Sequence, residues 1–418
     1  MQMHPTADVP GIAERLADGG EATDAELAAL ITAEGPDREA VFEAARRVRD
    51  REFGKRTFLY GFVYFSTYCR NECSFCYYRR SNGIERYRKS KDEIVDLARS
   101  IRADGINLAD LTMGEDPYMI RNGYENFLDI VSAIRDETGL NIMASPGAVP
   151  EAEFPKLRDA GADICACYQE TYNRRLFAER RIGQDFDYRM NQKIWPMRCG
   201  MLAEDGMMVG IGETVQDRVD TIRRMASMGC DQIRAMTFVP QAGTPMEGSG
   251  TVDTVNELLC MAAMRLLRHD AFIPATLDVE GIAGMEARLD AGASTVTSII
   301  PAASHLAGVA QSEMDIEDGH RCADYVTSRL RAMGREPATA SDLRREFDRR
   351  KRRLADRTRS PADRDRQGRG PAPPRVPDAV ARPLGADVHH AGGGSSAPFI
   401  HGSSPRQWSP GRSSCERP

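Results

Sequence analysis

An α/β fold, a closed (βα)8 barrel of the TIM type, is predicted by eight repeats of one pattern: a short apolar run, a polar or glycine-containing loop, and an amphipathic helical stretch. No hairpin signal joins the runs, so the strands are expected to be parallel, and eight units over roughly 270 residues match a closed barrel. A doubly wound open sheet is the rival architecture.

The strand candidates, in order, are 58–65 ("FLYGFVYF"), 106–112 ("INLADLT"), 140–144 ("LNIMA"), 163–168 ("DICACY"), 207–211 ("MMVGI"), 232–239 ("QIRAMTFV"), 274–279 ("PATLDV") and 294–300 ("STVTSII"). Between them, "SKDEIVDLARSIRADG" reads as a helix opened by a Ser90–Glu93 capping box. "TVQDRVDTIRRMASMG" closes on Gly229. Residues 1–56 carry two helix-like stretches, expected to cap one end of the barrel at 57–345. Residues 346–418, dominated by Arg, Pro, Gly, Ser and Asp, cannot bury enough apolar surface to offset their ordering entropy. They are expected to be a disordered or frame-shifted tail.

With 41% hydrophobic residues the 418-residue chain can build a sizeable core, and a net charge of −6 argues against nucleic acid as a partner. No apolar run approaches the length of a membrane span, so a cytoplasmic protein without a membrane partner is expected. Most of the ten cysteines stand singly in apolar segments, as buried thiols do. The exception is "STYCRNECSFCYY", which places Cys69, Cys73 and Cys76 in the loop after the first strand. Structural zinc wants four ligands, and no histidine lies between His4 and His269. A [4Fe-4S] cube held by three thiolates fits better, because its fourth iron stays open to an outside ligand.

This C-x3-C-x2-C motif, with Phe75 before its last cysteine, resembles the signature of the radical S-adenosylmethionine (SAM) superfamily. The resemblance implies that the open iron chelates SAM and that one electron cleaves it to a 5′-deoxyadenosyl radical. A reducing donor such as flavodoxin or ferredoxin is therefore implied. It also implies cofactor-binding roles for "MGEDP", with Met113, Gly114 and Glu115 near the SAM ammonium, and for Tyr77 beside the adenine. "YQET" is similar to the biotin-synthase-like branch, which assigns Glu170 to the SAM ribose or amino group and Arg189, nineteen residues on, to its carboxylate.

Within that branch "GFVYFSTYCRNECSFCYYRRSN", "LTMGEDPY", "ASPGAV", "GIGET" and "FVPQAGTP" resemble the methylornithine synthases of pyrrolysine biosynthesis. The resemblance covers about residues 40 to 340 and implies isomerisation of L-lysine to (3R)-3-methyl-D-ornithine by fragmentation and recombination of its carbon chain. Read from the residues, a lysine in a dry barrel needs about two acids and a base. Asp110, Arg234 and Asp278 interrupt or end strand patterns and are the candidates, Arg234 for the carboxylate and the two acids for the ammonium groups. Thr276 shares the strand face of Asp278, and Ser145 follows the third strand. An internal salt-bridge network is the competing reading of the same charges. Other candidates for the whole chain are a diiron-hydrogenase maturase-like enzyme acting on a different small amino acid, and a non-catalytic iron–sulfur or zinc scaffold.

Overall fold

The computed structural model describes residues 7–301 and 321–358. Eight parallel strands form the barrel: β1 (Arg56–Ser66), β2 (Leu108–Met113), β3 (Asn141–Ser145), β4 (Ile164–Ala166), β5 (Leu202–Val209), β6 (Gln232–Thr237), β7 (Pro274–Thr276) and β8 (Thr295–Ile299). Hydrogen-bonded neighbours run β6-β5-β4-β3-β2-β1-β8-β7. The β6/β7 seam is joined only near its N-terminal end, by a Gln232–Phe272 bridge, so the barrel is nearly closed. Pro274 opens β7 without an N–H to offer its neighbour.

All eight predicted strands are present. β5 begins five residues before the expected start, because "AED" reads as a loop in sequence although Glu204 and Asp205 are buried. Three helices precede the barrel, not two: α1 (Val9–Ala17), α2 (Asp24–Ile31) and α3 (Gly35–Phe53). The outer layer follows as α4 (Lys91–Ala103), α5 (Pro117–Thr138, interrupted at Arg121–Tyr124), α6 (Phe154–Ala160), α7 (Arg174–Arg180), α8 (Phe186–Arg198), α9 (Val215–Met228), α10 (Val255–Leu267) and α11 (Gly281–Asp290). Beyond β8 come α12 (Ala323–Ala332), a two-residue β9 (Glu336–Pro337) beside β1, and α13 (Ala340–Thr358). The expected Ser90–Glu93 capping box opens α4, and Gly229 closes α9 in the left-handed region. β1 and α4 approach so closely at Gly61 that a Cβ there would lie 2.8 Å from Ile101.

α1, α2 and α3 pack along the flank of the barrel, chiefly against α9 and α10. The N-terminal end is closed instead by α13. Leu343 and Phe347 join Phe58, Tyr60, Leu108, Met143, Ile164 and Leu202, residues that point into the barrel. Phe272 stacks on Phe53 at 5.8 Å and meets Phe347 at 6.3 Å. Arg350 lies 4.0 Å over the Phe272 ring and donates to the Asp231 carbonyl, while Lys351 pairs with Asp163 at 2.5 Å. The expected tail boundary at 346 therefore falls inside a packed helix, and the tail expectation from 359 onward lies outside the described residues. Leu343, Phe347, Arg350 and Leu354 are buried at helical spacing. The arginines around them hide the period, because their charges lie on carbonyls and acids of the barrel's rim.

Phe347→Ala should destabilise the protein by about 3 kcal/mol, read from urea unfolding, because it empties a ring-sized site in the floor. A loss below about 1 kcal/mol would refute α13 as part of the core.

Candidate functional site

A cavity of about 240 Å³ opens at the C-terminal ends of the strands and joins two chemically distinct ends. Cys73, Phe75, Cys76, Glu170, Arg181 and Arg189 line one end, and Tyr64, Ser145, Arg234, Thr276 and Asp278 line the other. Phe62, Met208, Met236 and Phe238 make the wall between them apolar.

The cysteine loop after β1 contains little regular structure, so side chains hold its backbone. Arg86 donates to the carbonyls of Tyr78 and Asn82 at 2.9 and 3.1 Å. Gly114, after β2, runs so close that a Cβ would lie 2.3 Å from the Tyr68 carbonyl and 2.8 Å from Cys69 Cβ. N–H groups are aimed at two sulfurs: Glu115 N donates to Cys69 Sγ at 3.3 Å and Gln184 Nε2 to Cys73 Sγ at 3.0 Å. Burial pushes the Cys69 thiol up to about 11. Cys76 is pushed up as well, by burial and then by the charges of Cys73 and Cys69. Thiols raised in this way, Cys69 and Cys76, need a cationic group beside them to be held as thiolates. Among the described residues, no three His, Cys, Asp or Glu side chains are placed to hold one metal ion, as a zinc site would require. Donors aimed at separate sulfurs suit the dispersed corners of a [4Fe-4S] cube, and the residues fit that group.

At the end of β4 the backbone is strained, with Glu170 at φ +69°. Its amide donates to the Gly206 carbonyl at 2.9 Å and its carbonyl accepts from Met208 N at 3.0 Å, which fixes the turn. One carboxylate oxygen pairs with Arg181 at 2.6 Å, and the other, like Arg181 Nε, is buried without a partner. Those orphaned atoms beside the cysteines are what a polar ligand would satisfy. Arg189 lines the cavity and donates from Nε to the Tyr168 carbonyl at 2.7 Å and from Nη1 to Gln184 at 3.2 Å. Beneath, Lys193 is wholly buried and donates to Gln169 and to the Arg189 carbonyl, both at 3.0 Å, with Asp205 at 3.4 Å. Asp205 accepts from Gln169 N, Gly206 N and the Tyr172 hydroxyl, so one ion pair ties β5 and α8 to the Glu170 turn.

Two of the cofactor candidates lie off the cavity wall. The Glu115 carboxylate is turned away from the cavity, accepting from Ala148 N at 3.0 Å and pairing with Arg70 at 2.9 Å, with Arg189 at 3.7 Å. Tyr77 does not line the cavity: its ring lies beside Tyr78 and its carbonyl accepts from Asn82. Met113 does line it, with Gly114 behind.

At the other end, Asp278 gathers Arg321 at 2.8 Å, Ser298 at 2.6 Å, Thr276 at 3.1 Å and the Tyr64 hydroxyl at 3.2 Å. Arg234 donates to Thr297 at 2.9 Å and to Tyr168 at 3.1 Å, and its Nε lies 3.3 Å from Glu204 without hydrogen-bond alignment. Burial works against the Arg234 charge, yet Tyr168, Glu204, Asp110 and Asp278 hold its pKa above the ordinary value. Asp110 sits one layer behind the cavity, accepting from Ser145 at 2.7 Å and Thr112 at 3.0 Å. Burial raises its pKa to about 7, helped by Glu204 and opposed by the two hydroxyls and Arg234. Sequence reasoning missed Arg181, Gln184, Glu204, Tyr168, Ser298 and Arg321. Glu204 gave no signal, because "AED" reads as a loop, whereas Tyr168 ended a predicted strand.

Residues 63–225 match the family model of the radical SAM superfamily. The 3-methylornithine synthase of Methanosarcina barkeri is 42% identical over 333 residues, 79% of this chain and 95% of that protein. The [FeFe] hydrogenase maturase subunit HydE of Thermotoga maritima is 31% identical over 262 residues, 62% of this chain and 74% of that protein. A crystal structure of methylornithine synthase superimposes with a TM-score of 0.77 at 41% identity, covering 80% of this chain and 99% of that one. Its barrel, its cysteine loop and this extent of identity together place the chain in the methylornithine synthase family of the radical SAM superfamily, to which it belongs.

Proposed function

We propose that the chain isomerises L-lysine to (3R)-3-methyl-D-ornithine, the first step of pyrrolysine biosynthesis. The observation that carries this reading is the cavity that links Cys73 and Cys76 to Arg234 and Asp278, with Asp110 behind Ser145. Cys69, Cys73 and Cys76 would hold a [4Fe-4S] cluster, and Glu170, Arg181 and Arg189 would hold SAM. Bound there, the two would supply a carbon radical able to abstract hydrogen from an unactivated chain.

Arg234 offers a planar pair of donors to the substrate carboxylate. Thr276 and Asp278 receive one ammonium, Asp278 relaxing its contact with Arg321 as it does so. The second ammonium meets the hydroxyl oxygens of Ser145 and Thr112, whose protons already point at Asp110. Asp110 thus supplies the negative charge through two hydroxyls. Phe62, Phe75, Met208 and Phe238 exclude water, which keeps fragments of a broken chain together until they rejoin. The identity to HydE favours one other reading, a maturase-like reaction on a different small amino acid. Product analysis separates the two.

Anaerobic enzyme, reconstituted with iron and sulfide and given dithionite, SAM and L-lysine, should form an isomer of lysine together with 5′-deoxyadenosine, both read by mass spectrometry. Deoxyadenosine without an isomer would discard lysine as substrate. Cys73→Ala should abolish both products. Arg234→Lys should keep SAM cleavage but lower kcat/KM for lysine by about 100-fold, since an ammonium cannot reproduce the bidentate contact. Free Asp110, with its pKa raised to about 7, is protonated at pH 6, and an arriving ammonium favours its ionised form. Lysine binding at pH 6 should therefore release close to one proton, measured by calorimetry in buffers of different ionisation enthalpy. The release should vanish by pH 8.5 and in Asp110→Asn.

A further inference from the structure

The outer side of the cysteine loop carries a surface that the reaction at the cavity does not use. Tyr68, next to Cys69, and Tyr118, at the start of α5, are 39% and 40% exposed, two of only four large hydrophobic side chains so exposed among the described residues. They sandwich Arg88, whose guanidinium carbon lies 4.5 and 4.6 Å from the two ring centres. Arg121 extends the stack, 4.1 Å from the Tyr118 ring. Asp116, wholly buried, anchors Arg88 from below at 2.5 Å, so the stack is held in place. Arg70 and Arg80 continue the basic face, their side chains 50% and 69% exposed.

Residues 68–89 hold six Lys and Arg against two Asp and Glu, in a chain whose net charge is −6. Arg80, Arg70 and Arg88 each stand beside an acid, Glu72, Glu115 and Asp116, and Arg121 stacks on Tyr118 at the outer edge. A third exposed apolar side chain, Ile182, follows Arg181, which touches Cys73 at 3.6 Å. A basic rim around rigid, amphipathic aromatic residues is the make-up of a transient protein interface that selects an acidic partner.

We propose that the face made by Tyr68, Arg88, Tyr118 and Arg121, with Arg70 and Arg80 at its edge, docks a small acidic one-electron carrier protein of the flavodoxin or ferredoxin type. This rests on the cluster assigned to Cys69, Cys73 and Cys76. Tyr68 and Arg70 flank Cys69 in the chain and are both exposed, which puts this face beside that ligand. In the step served, the carrier is oxidised by one electron and the cluster reduced by one, and no bond or proton moves.

The test uses the full-length reconstituted holoenzyme and follows bleaching of the cluster's visible absorbance by stopped flow. The electron source is prereduced flavodoxin, prereduced ferredoxin or dithionite. Arg121→Glu and Arg80→Gln, singly and together, should slow carrier-driven bleaching by tenfold or more in the double variant, and added salt should slow the wild type likewise. Iron content and dithionite-driven bleaching should stay within twofold of wild type. Carrier-driven rates within twofold of wild type, or insensitive to salt, would overturn the docking face. A slowing shared equally by dithionite would overturn it too, by placing the effect in the cluster. A wild-type chain that binds no iron would instead remove the cluster reading on which the face depends.

Discussion

Charges inside a nearly closed barrel have given up water, and the organisation of the mouth follows from how that loss is compensated. Buried ion pairs do it, among them Arg181 with Glu170, Lys193 with Asp205, Arg234 with Glu204, and Arg321 with Asp278. Such pairs add little net stability, because desolvation offsets most of their attraction. Their value is geometric. Removing one partner strands the other charge at a cost of about 3–5 kcal/mol, so each pair locks a loop at a fixed place over the strands. A ligand bringing its own charges enters this system by exchange, taking up one member while the other turns to its remaining hydroxyl or carbonyl contacts.

The Glu170 turn illustrates how position is maintained against local preference. A left-handed glutamate costs on the order of 1 kcal/mol or more. The turn persists because Gly206, Met208 and the Asp205 carboxylate together fix the backbone on both sides of it. The pair of Lys193 and Asp205 touches no cavity-lining atom of Glu170, yet it fixes the strand and helix on which Glu170 and Arg189 stand.

Much of the fold is readable in the sequence because strand, loop and helix periods repeat without interruption, and because the cysteine spacing is a local signal. Arg234, Thr276 and Asp278 were legible as strand positions whose polarity contradicts burial, and the barrel brings all three to one cavity. Arg181 and Gln184 were not, since their roles depend on how the chain after α7 folds back over Cys73, which no local period records. Glu115 carried the right residue type at the right strand end, but Arg70 and the Ala148 amide draw its carboxylate sideways. α13 failed for a different reason. Composition averages over its length, whereas four buried positions at helical spacing suffice to seat it.

That helix has a further effect on how the protein comes into being. Its floor residues lie near position 350, whereas the strands they seal end at 299. During synthesis the eight strands can therefore assemble while Phe58 and Phe272 have only Phe53, and not yet Phe347, to cover them. In that interval the barrel is a tube open at both ends, and an exposed aromatic ring of this kind is what chaperones hold. Closure of the floor thus follows the eight strands along the chain, after the loop that gathers the cysteines has already been made.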